Sequence, residues 1–391
     1  MNGVAATAWS AVARAVSGCV VRARAVSRRT VFATALVGWA LAGCATTPSP
    51  TVLRGEGLGS TWSVTLGAPP PVDVATLQRG IQARVDEVAQ HMSRWVPTSD
   101  LSALNASSVD DWQSVSPGLL APMSYALSLA RDTGGAYDPT VAALVDVWGF
   151  GTAGRRYAPP SAEAVRAARQ RVGFTKVTVD VSGARVRKPA GLQVDLSSMT
   201  HGYGAEQVAK YLSDVGVPSY LVDVGSEIRA QGESPEGGAW HVAIETPPAE
   251  DSEPIGSGDG AARQQGPAPT DATSSLKTSS AAASPMHVVF LRNAGIATSG
   301  NYRYYFDYNG RRYSHRIDPR TGEPVNHSLA AVTVIDPDCS HADALATALT
   351  VLGPDEGLQY ATDRNIAALF ILRDGEKLVE RMTPQFTPYL H

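Results

Sequence analysis

Helical and strand-like patterns alternate irregularly along residues 55–391, and this irregular order constrains the fold more than any other feature. Four segments carry helical periodicity, and the first has a cap at Asp73 and apolar residues at three- and four-residue steps from 74 to 92. Eight short apolar segments are typical of strands. A doubly wound sheet needs a regular strand–helix rhythm, so the pattern predicts an α+β fold with packed helices on a mixed-sheet core, forming one or two lobes.

The individual segments follow from capping residues, glycines and β-branched residues. The predicted helices cover residues 74–92, 119–131, 162–171 and 205–215. The predicted strands cover residues 62–66, 177–181, 220–224, 240–244, 287–291, 302–308, 330–335 and 367–372. No Gly-x-Gly-x-x-Gly motif follows a strand, which argues against a Rossmann dinucleotide site.

The first 43 residues have the form of a bacterial export signal. Residues 27–32, Ser-Arg-Arg-Thr-Val-Phe, match a twin-arginine signal, and an apolar stretch of twelve residues, 31–42, follows. A helix needs about 20 residues to span a bilayer, so this stretch is too short to cross one. Leu-Ala-Gly-Cys at residues 41–44 matches a lipobox and predicts lipidation of Cys44. The alternative is an ordinary signal with a chance cysteine.

This N-terminus predicts three regions: a signal peptide (1–43), a tether (44–54) and a single functional domain (55–391). The protein is expected on the periplasmic side of a bacterial membrane, held by its lipid anchor, and the sequence leaves open whether that membrane is the inner or the outer one. Residues 1–43 carry five arginines and no acidic residue, so their removal moves the formal net charge from −4 to −9. An acidic mature chain argues against nucleic acid as a partner.

Residues 249–284 interrupt the pattern of the domain. They contain no aromatic residue, and Ile255 and Leu276 are their only large apolar side chains. Such a segment buries too little apolar surface to offset its ordering entropy, so we expect a disordered surface loop. The strands on either side are then neighbours in a hairpin.

An alanine-rich helix near the C-terminus carries Asp343 and Thr347 four residues apart. This spacing places a carboxylate and a hydroxyl on one helix face, and two hard oxygen donors suit a small divalent cation such as Mg²⁺. The alternatives are a solvated helix face, or a threonine bonded to the carbonyl four residues before it. Cys339 is the only cysteine expected in the folded part, which excludes an intrachain disulfide.

Six motifs occur in order over this domain, and together they carry a resemblance to a known family. They lie at residues 57–62, 92–102, 135–140, 195–203, 224–227 and 297–353. In this combination the chain resembles the FAD:protein FMN transferases, the ApbE-type flavin transferases, and the resemblance implies their T-fold-like architecture. It also implies transfer of FMN from FAD onto a threonine hydroxyl of a target protein, with release of AMP and dependence on Mg²⁺.

The resemblance assigns roles to residues of this sequence. Asp343 and Thr347 are expected to bind Mg²⁺ through their side chains and Ser198 through its backbone carbonyl. His315 is the expected base that takes the threonine proton, because its ordinary pKa lies near neutral pH, so His315 and Asp343 are the expected catalytic residues. The alternative is a structural histidine in a tight turn.

Contacts to FAD are expected from ten residues. Trp95 stands where the family usually has a tyrosine against the isoalloxazine ring, and an indole stacks equally well. Thr298 and Ser299 form a small-residue turn whose amides are expected to meet phosphate. The remaining expected contacts are Leu58, Ala136, Tyr137, Asp138, Asp195, His201 and Ile317. Leu58 replaces the usual methionine and His201 the usual lysine or acid, which makes one polar contact weaker or dependent on pH.

The same expected FAD and metal contacts are compatible with two other functions. One is a metal-dependent FAD pyrophosphatase that releases FMN and AMP, and the other is a non-catalytic periplasmic lipoprotein that binds FAD. The expected protein partner is an acceptor flavoprotein with a short Asp-x-x-Ser/Thr-x-x-Thr-like segment, as the family resemblance implies.

Overall fold

The computed structural model describes residues 50–248, 286–302 and 304–390. The predicted signal peptide, the lipidation site at Cys44 and the predicted disordered loop at 249–284 lie outside these ranges. The described residues belong to one compact unit, where one or two lobes were expected. Within the described ranges, no helix combines the length and apolar character needed to cross a membrane.

Eight α-helices occur in the described ranges, and side-chain caps mark where several of them begin. The side chain of Asp73 accepts a hydrogen bond from the amide of Thr76, and serines 99, 116 and 161 cap their helices in the same way. The helices are α1 (Val74–Met92), α2 (Asp100–Ala106), α3 (Pro117–Asp132), α4 (Ala142–Val147), α5 (Ala162–Arg169), α6 (Thr200–Asp214), α7 (Cys339–Leu352) and α8 (Glu356–Asp363).

Seventeen strands occur in the same ranges, many of them short. They are β1 (Val52–Gly57), β2 (Ser60–Leu66), β3 (Gln113–Ser114), β4 (Thr178–Asp180), β5 (Arg185–Arg187), β6 (Tyr220–Val224), β7 (Glu227–Gln231), β8 (Trp240–Ile244), β9 (His287–Leu291), β10 (Ala294–Gly300), β11 (Tyr305–Tyr308), β12 (Arg311–Ser314), β13 (Ile317–Asp318), β14 (Glu323–Pro324), β15 (Leu329–Asp336), β16 (Ala367–Asp374) and β17 (Lys377–Met382).

The core of the molecule is an eight-stranded sheet in the order β1-β2-β6-β7-β10-β15-β16-β17. The α+β class is therefore confirmed, but every pair of neighbouring strands in this sheet is antiparallel, where a mixed sheet was expected. The predicted tether was too long, because residues 52–54 already belong to β1 and pair with β2. Side chains of Gln78 and Gln82 on α1 donate to carbonyls of this edge strand.

The sheet is covered on both faces. Helices α1, α6 and α7 pack on one face, and α7 lies against β10 and β15. The hairpin of β8 and β9 packs on the other face, over residues such as Ala331 and Ile335. This hairpin was predicted from the sequence and is confirmed. Twelve of the fourteen residues of α7 are buried, and only His341 and Asp343 are not.

Two predicted elements differ from the structure by more than two residues at one end, and the other predicted elements agree with it to within two residues. Helix α6 begins at Thr200 rather than at 205, because Gly202 and Gly204 fit inside the helix where it approaches α7 and the β1–β2 turn. The strand predicted at 302–308 is only β11, Tyr305–Tyr308. Residues 301 and 302, directly after β10, form a bend instead.

Candidate active site

A cleft of about 220 Å³ opens beside the C-terminal part of α7. Its walls come from segments far apart in the sequence: the segment after α1, the loops before α4 and α6, and the turn between β12 and β13. Residues 94–95, 136–138, 141, 145, 150–151, 195, 197–198, 315–317, 319, 347 and 351 line it. The structure thus brings nine of the predicted site residues to one cleft: Trp95, Ala136, Tyr137, Asp138, Asp195, Ser198, His315, Ile317 and Thr347.

Helix α7 presents two oxygen donors one turn apart. Thr347 is 8% exposed, and its Oγ1 is enclosed without any hydrogen-bond partner in the described residues. Asp343 Oδ2 accepts a hydrogen bond from the amide of Gly202, at 3.1 Å. The alternative of a threonine bonded to the carbonyl four residues before it is therefore wrong, and the burial of Thr347 argues against a solvated helix face.

The carboxyl group of Asp343 lies among charged groups. Burial raises its pKa to about 6, and this effect outweighs the opposing effects of His201, the Gly202 amide and Arg316, each of which favours the carboxylate. The nearby charge of Arg316 and the ring of His201 thus partly balance an acid that has lost most of its hydration. A bound cation would stabilise the ionised form further.

Helices α6 and α7 approach closely beside Asp343. A Cβ atom at Gly202 would lie 2.3 Å from the carbonyl oxygen of Cys339 and 2.8 Å from the Cβ of Asp343, so only glycine fits. Cys339 itself is buried, and burial raises the pKa of its thiol, as expected for an unreactive cysteine. The close contact fixes the start of α6 relative to the oxygen donors of α7.

These donors fit a small, hard cation. A buried hydroxyl without a partner costs about 1–3 kcal/mol, and a cation between Thr347 and Asp343 would satisfy it. Ser198 lies at the same cleft, where its Oγ is 2.9 Å from the hydroxyl of Tyr137. The donor set contains one carboxylate, and no cluster of three His, Cys, Asp or Glu side chains suited to a metal occurs among the described residues. One carboxylate with neutral oxygens is typical of Mg²⁺ that shares its ligands with phosphate.

His315 is held in one tautomer. Its Nδ1 lies 2.8 Å from the carbonyl oxygen of Tyr304, which can only accept, so Nδ1 carries the proton and Nε2 has a free lone pair. Burial, aided by the charge of Arg316, lowers the pKa of His315 to about 3. The imidazole is therefore neutral throughout the physiological range, and the rings of Phe150 and Tyr304 pack against it edge-on.

Arg94 also lines the cleft and is held by two ion pairs. Its guanidinium donates to Asp195 Oδ2 at 2.9 Å and to Asp146 Oδ2 at 2.7 Å, and only 5% of its side chain is exposed. Asp195 also accepts from the amide of Ser197, which shapes the turn before α6. Sequence reasoning missed Arg94 and Asp146 as site residues, although Arg94 lies inside the second of the six motifs.

The mouth of the cleft carries a flat aromatic surface. Trp95 is 63% exposed, an unusual exposure for an indole, and it borders the same cleft as the apolar side chains Val141, Val145 and Phe150. This wall suits the face of a planar heterocycle.

Asp138 has a structural role that the sequence did not predict. Its Oδ1 accepts from the amide and hydroxyl of Thr140, and its Oδ2 accepts from the amide of Phe174. Both carboxylate oxygens thus accept hydrogen bonds within the protein. Burial raises the pKa of Asp138 despite these hydrogen bonds.

Leu58 and His201 lie together, next to Asp343 rather than on the cleft wall. His201 Nε2 is 3.2 Å from the carbonyl oxygen of Leu58, and the charge of His201 acts on Asp343. Leu58 and Gly59 both have positive φ angles, which form the tight turn between β1 and β2. This turn projects the Leu58 carbonyl toward α6.

The structure does not bring Thr298 to the cleft. Successive residues of β10 point to opposite faces of the sheet, and the hydroxyl of Thr298 lies 2.9 Å from that of Thr333, on the face covered by the β8–β9 hairpin. Its amide donates to Glu227 rather than facing the cleft. Ser299 faces the opposite way and is buried, and its Oγ lacks a hydrogen-bond partner in the described part of the chain.

The sequence and fold agree with a family of known enzymes. The ApbE family pattern matches residues 58–370. The FAD:protein FMN transferase of Klebsiella pneumoniae (strain 342) is 34% identical over 374 residues, which cover 92% of this chain and 98% of that protein. The FAD:protein FMN transferase of Vibrio cholerae (strain O395) is 34% identical over 351 residues, which cover 90% of this chain and 96% of that protein.

Solved structures show the same likeness. Pseudomonas stutzeri flavinyl transferase ApbE, in its apo form, has a TM-score of 0.73 at 33% identity, covering 87% of this chain and 96% of that chain. Flavin transferase ApbE from Vibrio cholerae has a TM-score of 0.74 at 33% identity, covering 87% and 99%. The fold is thus that of a transferase enzyme. The chain belongs to the ApbE family.

Proposed function

We propose that this enzyme transfers FMN from FAD onto a threonine hydroxyl of an acceptor protein and releases AMP, with Mg²⁺ bound at α7. The observation that carries the proposal is one juxtaposition in the cleft. Thr347, with its orphaned hydroxyl, and His315, whose Nδ1 is bonded elsewhere, line one cleft with the exposed ring of Trp95, and Asp343 lies one turn before Thr347 on α7. Relatives named FAD:protein FMN transferase support the same reaction.

The reaction balances as a displacement at phosphorus. The acceptor hydroxyl oxygen forms a bond to the FMN phosphorus, and the bond from that phosphorus to the bridging oxygen of the pyrophosphate breaks. AMP leaves with the electron pair of that bond, and the hydroxyl proton passes to Nε2 of His315. Neutral His315 is ready to accept this proton, and a pyrophosphate anion beside it raises its pKa from the low value of the unliganded cleft.

Asp343, Thr347 and the carbonyl of Ser198 would hold the cation. Bound there, Mg²⁺ supplies Lewis-acid neutralisation of charge on the phosphate oxygens. The Arg94 salt bridges keep Asp195 and the turn before α6 in place, and Trp95 offers its face to the isoalloxazine ring. Orientation and charge neutralisation are the main needs of phosphoryl transfer, and this chain provides residues for both.

The decisive experiment follows the FMN. The purified protein is incubated with FAD, Mg²⁺ and a protein that contains an Asp-x-x-Ser/Thr-x-x-Thr-like segment, and the acceptor peptide is analysed by mass spectrometry. We expect the mass of FMN on a threonine and an equal amount of free AMP. Release of free FMN with AMP and no labelled peptide would instead show an FAD pyrophosphatase. FAD retained intact would show a binding protein.

The raised pKa of Asp343 predicts how Mg²⁺ binding depends on pH. Below pH 6 the acid is protonated in the metal-free protein, so Mg²⁺ must displace a proton and its affinity falls about tenfold per pH unit; above pH 6 the carboxylate is free and the affinity is constant. Calorimetric titration with Mg²⁺ between pH 5 and 8 measures this. The control Asp343→Asn is expected to bind weakly without this slope, and a flat affinity in the unmodified protein would contradict the prediction.

We further propose that a lipid on Cys44 anchors the protein on the periplasmic side of a membrane. The proposal rests on the lipobox at residues 41–44 after a twin-arginine signal. Cys44→Ala is expected to move the protein from the membrane fraction to the soluble periplasmic fraction, as followed by fractionation and immunoblotting. Retention of the variant on membranes after a high-salt wash would show that Cys44 is not the anchor.

A further inference from the structure

The cleft contains an arginine for which the protein provides no partner. Arg316 lines the cleft, directly after His315, and its Nε is enclosed without a hydrogen-bond partner. Among the described residues, no side-chain hydrogen bond or salt bridge to its guanidinium occurs. Its backbone is fixed on both sides, because its amide donates to Ser314 Oγ and its carbonyl accepts from the amide of Val325.

Arg94, in the same cleft, provides a comparison, because the protein itself supplies acceptors for its guanidinium. It forms two short ion pairs, to Asp146 and Asp195, so its donors are used within the protein. Arg316 has only the longer-range attraction of Asp343 and Glu227, and burial lowers its pKa. A guanidinium is never deprotonated at neutral pH, so an enclosed Arg316 keeps its charge and leaves strong donors unused. Such a group is incomplete without an anion.

The position of Arg316 restricts which anion this is. It faces the cleft together with Thr347, whose hydroxyl is also without a partner, and it acts electrostatically on both His315 and Asp343. A ligand with a single carboxylate would be repelled by the like charge of Asp343. A diphosphate is better suited, because it offers oxygens to a cation at Asp343 and further oxygens to the planar fork of an arginine.

We propose that Arg316 binds the pyrophosphate of FAD by charge-assisted hydrogen bonds and stabilises the negative charge that gathers on the departing AMP phosphate. The proposal rests on the proposed function for the identity of the substrate. It makes Arg316 a catalytic residue, and it explains why a cation is kept beside the histidine that must accept a proton. The bound pyrophosphate neutralises that cation, so His315 becomes more basic only when substrate is present.

The alternative is that Arg316 serves only as a counter-charge for Asp343. The two roles predict different affinities for ligands with and without phosphate groups. The experiment therefore compares the binding of three ligands, FAD, ADP and riboflavin, in the presence of saturating Mg²⁺. Arg316→Met keeps much of the volume and removes the charge, and Arg316→Lys keeps the charge without the fork. Trp95→Ala is the matched variant on the other side of the cleft.

We expect Arg316→Met to weaken binding of FAD and ADP at least about tenfold and to leave riboflavin binding unchanged, since riboflavin has no phosphate. Trp95→Ala is expected to show the opposite pattern, with weaker riboflavin and FAD and unchanged ADP. Arg316→Lys is expected to fall between the unmodified protein and Arg316→Met. Binding is followed by flavin fluorescence for FAD and riboflavin and by calorimetry for ADP.

Unchanged FAD and ADP affinity in Arg316→Met overturns the proposal, as does an equal loss for riboflavin accompanied by a lower melting temperature. Absence of FAD and ADP binding in the unmodified protein overturns it as well. Failure of the proposed function has a different signature: the unmodified protein then binds FAD but labels no acceptor, while the ADP comparison still decides the role of Arg316.

Discussion

We expect Asp343→Ala to lower the rate of FMN transfer at least about a thousandfold, because a cation beside the pyrophosphate contributes several kcal/mol to the stabilisation of the transition state. Asp343 is the only carboxylate among the three proposed ligands, so its loss removes the charge that holds the cation. Riboflavin binding is expected to stay unchanged, since stacking on Trp95 needs no metal. Transfer is measured by in-gel flavin fluorescence of the acceptor, and riboflavin affinity by fluorescence titration.

Two threonines of α7 provide the matched comparison. Thr347→Ala removes a neutral ligand, so its defect is expected to be smaller and partly recovered at higher Mg²⁺ concentration. Thr350→Ala serves as the control, because its hydroxyl already donates to the carbonyl of Ala346 and takes no part in the cleft. Full transfer by Asp343→Ala in the presence of EDTA would rule out the metal mechanism and favour a flavin-binding role.

His315→Ala is expected to slow the chemical step by about 10²- to 10⁴-fold and to leave the affinities for Mg²⁺ and FAD almost unchanged. The reason is geometric: Nδ1 is committed to the Tyr304 carbonyl, so Nε2 is the nitrogen of this cleft-lining ring that can accept a proton. The defect is expected to shrink at alkaline pH, where the threonine needs less help to lose its proton. Single-turnover transfer at saturating FAD measures the step.

The control for this variant is His287→Ala, which replaces a histidine paired with Glu380 outside the cleft. Its transfer rate is expected to match that of the unmodified protein. If His315→Ala instead lost FAD affinity and kept its single-turnover rate, His315 would be a binding residue rather than the base.

The sequence predicted elements well where side-chain chemistry is strong and local. The cap at Asp73 and the β-branched strands β6, β8 and β9 appear with the expected bounds or within a residue of them. Strand β10 (Ala294–Gly300) was missed because small residues have little strand propensity of their own. They form a strand here because α7 packs directly on them, a tertiary contact with no local signal.

The site could be predicted only in part, for a related reason. Motif spacing indicated the residues that carry chemistry, but not which of them the fold turns inward. Thr298 and Ser299 differ by one position and face opposite sides of the sheet, so the motif alone cannot say which one approaches a ligand. The sequence does not distinguish Arg94 from Arg316. Only the structure shows that Arg94 forms ion pairs and that Arg316 Nε has no hydrogen-bond partner among the described residues.

The hairpin of β8 and β9 has a consequence for how this chain tolerates change. Ile244 and His287 face each other in register, so the chain leaves the sheet and returns to it at adjacent points. A connection between two such points adds only closure entropy, about 0.6 kcal/mol for each doubling of its length. We therefore expect the connection between them to accept an insertion such as an affinity tag or a fluorescent reporter without a change in the register of either strand.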